Sequence, residues 1–109
     1  MQPVDVDSIL REMVRRIVER FEPSSIVLFG SFARGTATAD SDVDLLIVMP
    51  VRGSRRALAT QIDVLVSGLG VSKDILVVTP EEVERYRDSV GTIIRTALNE
   101  GRTVYARAA

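Results

Sequence analysis

Three acidic residues stand out by their spacing. Asp42 and Asp44 are separated by one residue at the start of an apolar run, Val43 to Met49. In an extended strand, positions i and i+2 project from the same face, so these two carboxylates stand side by side. Two such charges repel, and burying both unpaired is costly; a divalent cation bridging them removes that cost. Asp74 opens a later apolar run, Asp74 to Val78, beyond a helix-like segment. A helix between two strands is the signature of a crossover that returns the chain parallel to its start. Parallel strands begin at the same end of a sheet, so Asp74 is expected beside Asp42 and Asp44. A three-carboxylate cluster can hold two metal ions about 4 Å apart, one activating an attacking oxygen and the other holding a triphosphate.

The opposite half of such a site is Gly30-Ser31, at the end of the apolar run Ser25 to Phe29. Glycine lets backbone approach a ligand closely. A helical turn after it aims backbone N–H groups, with the Ser31 hydroxyl, at an anion. Arg34 is near enough in sequence to add a cationic contact. Only a short turn and loop, residues 32 to 41, separate the two runs, so antiparallel neighbours are expected, with Gly30-Ser31 near Asp42.

Composition removes other chemistries. The chain has no cysteine, which excludes disulfides and zinc–thiolate sites, and no histidine, which excludes imidazole acid–base catalysis and Ser/His/Asp triads. A metal must therefore be held by oxygen, which suits Mg²⁺ or Mn²⁺. A net charge of -1 gives no strong nucleic-acid signal. Residues 1 to 7 lack a signal-peptide pattern and no apolar run approaches ~20 residues, so a cytoplasmic location and no membrane contact are expected.

These residues need positioning elements, and the patterning supplies them. Apolar residues at three- and four-residue steps predict a helix from about Asp5 to Phe21, with Asp5 or Asp7 as cap and Pro23 closing it. Strands are expected at 25–29, 43–49 and 74–78, and a helix from Ala57 to Leu69 ended by Gly68 and Gly70. Thr79-Pro80-Glu81-Glu82 carries a capping box and a proline at the first helical position. A helix to about Asp88 follows, then one from about Ser89 to Asn99, and a short strand over Thr103 to Ala106. The 109 residues suit one domain, and the element order suggests an α/β (α+β) fold: a small mixed sheet with helices packed on it. Arg52, Arg55 and Arg56 lie past the far end of the second strand and read as a solvated helix start, with a partner-docking patch as the sharper alternative. Asp40 is set aside as a ligand and, with Ser41, shapes the loop. Tyr86 and Tyr105 are expected to be half-buried.

Gly30-Ser31, a spacer, then Ser41-Asp42-Val43-Asp44-Leu45, with Asp74 as a third acid, closely resembles the minimal nucleotidyltransferases of the DNA polymerase beta superfamily. The stretch Gly91 to Arg95 and Asn99 through Tyr105 is similar to that family's C-terminal segment. Lys73 departs from the pattern, since the third acid is usually flanked by hydrophobic residues on both sides. The resemblance implies a polymerase beta-like nucleotidyltransferase fold. Asp42, Asp44 and Asp74 would hold metal and catalyse, and Gly30, Ser31 and Arg34 would bind ATP or another nucleoside triphosphate. It further implies an antitoxin that adenylylates a small helical HEPN toxin. Two alternatives remain at this stage: a non-catalytic antitoxin that acts by binding, and a small-molecule adenylyltransferase of the aminoglycoside type whose acceptor surface comes from another chain.

Overall fold

A computed structural model describes residues 6–38 and 40–108. The first helix, α1 (Val6–Phe21), buries Leu10, Met13 and Ile17, the stripe its periodicity marked. Its expected cap Asp5 lies outside the described residues, and Asp7 sits within the first turn. The helix stops at Glu22, whose φ of 48° is the left-handed turn that commonly ends a helix, and Pro23 follows, fully buried.

Three strands then form as expected: β1 (Ser25–Phe29), β2 (Val43–Val48) and β3 (Lys73–Val78). β1 lies antiparallel to β2, pairing Ser25 with Val48 and Phe29 with Asp44. β2 lies parallel to β3, pairing Val43 with Lys73, Asp44 with Asp74 and Val48 with Val78. A fourth strand, β4 (Arg102–Ala106), pairs antiparallel with β1 and completes a mixed sheet of order β3-β2-β1-β4. The single turn α2 (Ser31–Arg34) follows β1, and α3 (Arg55–Leu65) is the crossover between β2 and β3.

The sheet is buried on both faces. Ile26, Leu28, Val43, Leu45, Ile47, Ile75 and Val77 point to one side, where α1 and α3 cover them. Val27, Phe29, Leu46, Val48 and Val78 point to the other, under α4 (Pro80–Tyr86) and α5 (Ile93–Glu100). Arg16 ties α1 to α3 by donating to the Leu65 carbonyl at 3.1 Å, where a cation also meets the negative end of the helix dipole. Gly101 must be small, because a Cβ there would press on the carbonyls of Ala97 and Leu28 as α5 turns into β4. Tyr86 and Tyr105 are both half-buried.

Three boundaries in two helices differ from the sequence reading, and side-chain hydroxyl bonds explain why. Ser54 accepts the Ala57 N–H at 3.0 Å, so α3 begins at Arg55, two residues before its apolar stripe. Its other end falls at Leu65 rather than Leu69, where the Ser67 hydroxyl bonds the Val64 carbonyl at 2.6 Å and competes with the ladder. Thr92 accepts the Arg95 N–H at 3.2 Å and donates to the Ser89 carbonyl at 2.8 Å, so Ser89 to Gly91 form a turn and α5 starts at Ile93. The capping box at the start of α4 forms as read: Thr79 accepts the Glu82 N–H at 3.1 Å and Glu82 accepts the Thr79 N–H at 2.9 Å.

Arg55 also holds Glu82, at 2.9 Å, and this pairing with the capping bonds keeps the Glu82 carboxyl below its ordinary pKa. A lowered folded-state pKa stabilises above the unfolded value, and that stability is lost as pH falls through the folded one. Thr79→Ala should cost about 1 kcal/mol in urea unfolding at neutral pH. The Thr79 hydroxyl bonds a backbone N–H, so this deficit should persist in acid. Glu82→Gln loses the Arg55 pairing, and its deficit should be present at neutral pH and shrink as pH falls through the Glu82 pKa.

Candidate active site

The acids converge through strand register. Asp44 and Asp74 are paired positions on adjacent parallel strands, whose backbones run about 4.8 Å apart, so their side chains share one face. Val43, almost wholly buried, pins that register, and its N–H bonds the Ser72 carbonyl at 2.9 Å just below the acids. Asp42 precedes β2 by one residue and is exposed; period-two alternation gives it the same face as Asp44. The loop leading to it is closed by Ser41, whose hydroxyl accepts the Thr38 N–H at 2.8 Å and whose N–H donates to the Thr38 carbonyl at 3.1 Å. Ser41 thus shapes the loop as expected, and Asp40 is exposed.

The face they share is the one covered by α4 and α5, and the acids stand at its uncovered end. Partial burial, then the charges of Asp74 and Asp42, raise the Asp44 carboxyl above its ordinary pKa, while the Arg34 guanidinium pulls it down. All four sequence-marked charges therefore act on one point.

Gly30 closes that point from the side. It has φ 74° and ψ -158°, a conformation open essentially to glycine alone. A Cβ built there would overlap the Asp44 carboxylate and lie 3.1 Å from its carbon. The turn after β1 is thus pressed against Asp44, as the short β1–β2 connection required. Ser31 opens α2, whose first amides receive no capping side chain because Gly30 has none. The Gly30 carbonyl accepts the N–H groups of Ala33 and Arg34, both at 3.1 Å, which holds the turn in shape.

Arg34 itself points to a residue that the sequence did not single out. Its Nη1 lies 3.1 Å from Oε2 of Glu100, the last residue of α5, and both side chains are about half exposed. Only the packing of α5 over β1 brings Glu100 there, so no local spacing could have revealed it. Of the arginines after β2, Arg55 is used structurally, donating to the Val77 carbonyl at 3.2 Å as well as holding Glu82. Arg56 instead lines a cleft of about 230 Å³ beside Asp63, Lys73 and Asp74. A wider groove of about 750 Å³ between α1 and β4 is floored by Leu10, Val14, Val18 and Val104, and none of the three acids lines it.

The donors suit a hard divalent cation. Among the described residues no three acidic side chains enclose a point as a finished cage does. What they offer is a pair in register with a third carboxylate nearby, and an Asp44 carboxyl raised above its ordinary pKa by partial burial and then by the charges of Asp74 and Asp42. Mg²⁺ commonly takes one or two carboxylates and completes its shell with water and substrate phosphate oxygens, so this arrangement fits it.

Comparison with known proteins accords with this geometry. A segment of 53 residues is 43% identical to a candidate protein adenylyltransferase of Methanocaldococcus jannaschii, covering 47% of this chain and 36% of that one. A segment of 43 residues is 44% identical to the protein adenylyltransferase MntA of Thermococcus cleftensis, covering 39% of this chain and 43% of that one. The matches thus span less than half of those relatives. Among solved structures, a candidate nucleotidyltransferase of Sulfolobus solfataricus superposes with a TM-score of 0.63 at 19% identity, over 98% of this chain and 91% of that one. A toxin–antitoxin MntA–HpeT structure superposes with a TM-score of 0.61 at 19% identity, over 90% of this chain and 72% of that one. These two likenesses establish the fold. The nucleotidyltransferase domain pattern matches residues 10–104, nearly the whole length, and the chain belongs to that family.

Proposed function

We propose that the protein transfers a nucleoside monophosphate, AMP from ATP, onto a hydroxyl of a partner protein. The observation that carries this is the in-register pair Asp44 and Asp74 against the Gly30 turn, a site with acids for metal and backbone for phosphate. A solved relative of the same fold contains AMP-PNP, an ATP analogue, at 21% identity and a TM-score of 0.52.

Each residue then has a distinct part. The first amides of α2 and the Ser31 hydroxyl hold the β and γ phosphates. Arg34 adds positive charge on the same side, leaving Glu100 to do so. Asp42 and Asp44, with Asp74, would hold Mg²⁺ or Mn²⁺, which neutralises the triphosphate and lowers the pKa of the acceptor hydroxyl. Asp74, exposed at the sheet edge, faces the acceptor and takes its proton. A bond forms from the acceptor oxygen to the α phosphorus, the α–β bridging bond breaks, and pyrophosphate leaves. The partner is a small helical HEPN toxin in the cytoplasm, neutralised by the modification; the relatives named as protein adenylyltransferases and as toxin–antitoxin pairs support this choice. No helix among the described residues is long and apolar enough to cross a membrane.

Asp44→Asn tests the chemistry. The folded protein raises the Asp44 pKa, so its charge is unfavourable there and the neutral isostere should unfold at the same temperature or higher in metal-free buffer. AMP transfer from α-labelled ATP should vanish, and the partner should keep its unmodified intact mass. Undiminished transfer by this variant, or capture of the partner by wild-type protein with no mass increase of one AMP, refutes the proposal. Gly30→Ala should do both kinds of damage. The strained backbone costs on the order of 1–3 kcal/mol, and displacement of the Asp44 carboxylate abolishes transfer, read by thermal unfolding and the same labelling assay.

A further inference from the structure

The outer side of β3 carries groups that the proposed transfer does not use. The Val43 and Met49 amides bond the Ser72 and Val78 carbonyls, each at 2.9 Å, so peptide groups of even-numbered residues in this strand face β2. Those of Lys73, Ile75 and Val77 face outward, because successive residues alternate. Arg55 caps the Val77 carbonyl at 3.2 Å, and Lys73 is drawn to Asp63 at 3.4 Å. Between these closures, the N–H and C=O of Ile75 have no partner among the described residues. One residue of an added strand could exchange both bonds with them.

Above this edge runs the outer stripe of α3. Arg56, Thr60 and Asp63 follow one another at helical spacing and line the cleft beside Lys73, Asp74 and Ile75. Arg56 is exposed and has no ion-pair partner among the described residues. The Lys73–Asp63 pair sets that end of α3 level with Lys73. Seven residues at about 1.5 Å per residue carry Arg56 about 10 Å further along, about three strand residues, to the level of Leu76 and Val77, where its neighbour Arg55 meets the Val77 carbonyl.

We infer that this edge is the docking site of the acceptor: an extended peptide segment that adds antiparallel to β3 at Ile75, with a hydroxyl residue opposite Asp74 and an acidic residue three positions before it, under Arg56. The register follows from the geometry. If residue k pairs with Ile75, residue k+1 faces Asp74 as a non-hydrogen-bonded pair, where side chains approach most closely. Its side chain then lies on the face of the acids. Residue k-2 lies opposite Val77, and its odd separation from the hydroxyl puts it on the other face, the one α3 covers. The inference rests on the transferase reading for what happens at the hydroxyl, but the docking is a separate equilibrium.

Synthetic peptides with one serine or tyrosine, and one glutamate moved from two to four positions before it or three after it, test the register. Binding is followed through the Ile75 amide in ¹⁵N-labelled protein without ATP, and AMP transfer is measured in parallel with Mg²⁺–ATP. Glutamate three positions before the hydroxyl should bind tightest and shift the Ile75 amide. Arg56→Glu should weaken that peptide about fivefold or more, with nucleotide affinity unchanged, and lysine in place of glutamate should restore binding to the variant. Indifference to glutamate position, an unmoved Ile75 amide, or an Arg56→Glu protein that binds as wild type overturns the docking site. Register-dependent binding with no AMP transfer to any acceptor leaves the docking site standing and removes the transferase reading instead.

Discussion

Like charges held close by strand register constrain everything else in this molecule. Asp44 and Asp74 cannot move apart without breaking the parallel pairing of β2 and β3, and the buried Val43 and Leu45 on either side of Asp44 fix that pairing. Asp44 cannot retreat toward β1 either, because the Gly30 turn is pressed against its carboxylate. The hydrophobic face beneath the sheet thus supplies the force that keeps two repelling groups together. The strain is relieved by whatever cation or proton the site receives. Partial burial and the neighbouring carboxylates disfavour the charged form of Asp44, so protonation there is favoured relative to a free carboxyl.

The sheet divides the labour between its faces. α1 and α3, clasped by Arg16, cover one face along its length, and none of the three acids lies on that face. α4 and α5 cover only part of the other, and the acids occupy what they leave open. Glu100 marks the border, because it ends α5 where Arg34 ends α2. Gly101 lets the chain pass so near Leu28 that β4 can pair with β1 directly after the helix. The last third of the chain is therefore both lid and brace for the first.

Much of this was legible in the residues. The one-residue gap between Asp42 and Asp44, the apolar run behind them and the helix before Asp74 together dictate a parallel neighbour, and the observed register pairs Asp44 with Asp74. Lys73, which interrupts the apolar flank of Asp74, belongs to β3 and meets Asp63 on α3, so its aliphatic stem is covered while its charge is paired. Helix ends were less legible, since Ser54, Ser67 and Thr92 act through single hydroxyls whose partners depend on local backbone shape. The Arg34–Glu100 pair was hidden altogether. It joins residues far apart in the chain through packing that no local pattern encodes.

The crossover through α3 has one more consequence. Asp44 and Asp74 are strangers in the unfolded chain, with a helix and two turns between them, and they become neighbours only once β3 docks on β2. A ligand that needs both recognises the native state alone, so its binding free energy adds directly to the cooperativity of folding. Occupancy and stability are then linked: a bound ligand raises the free energy of unfolding by an amount set by its concentration relative to its dissociation constant, on top of what the core supplies.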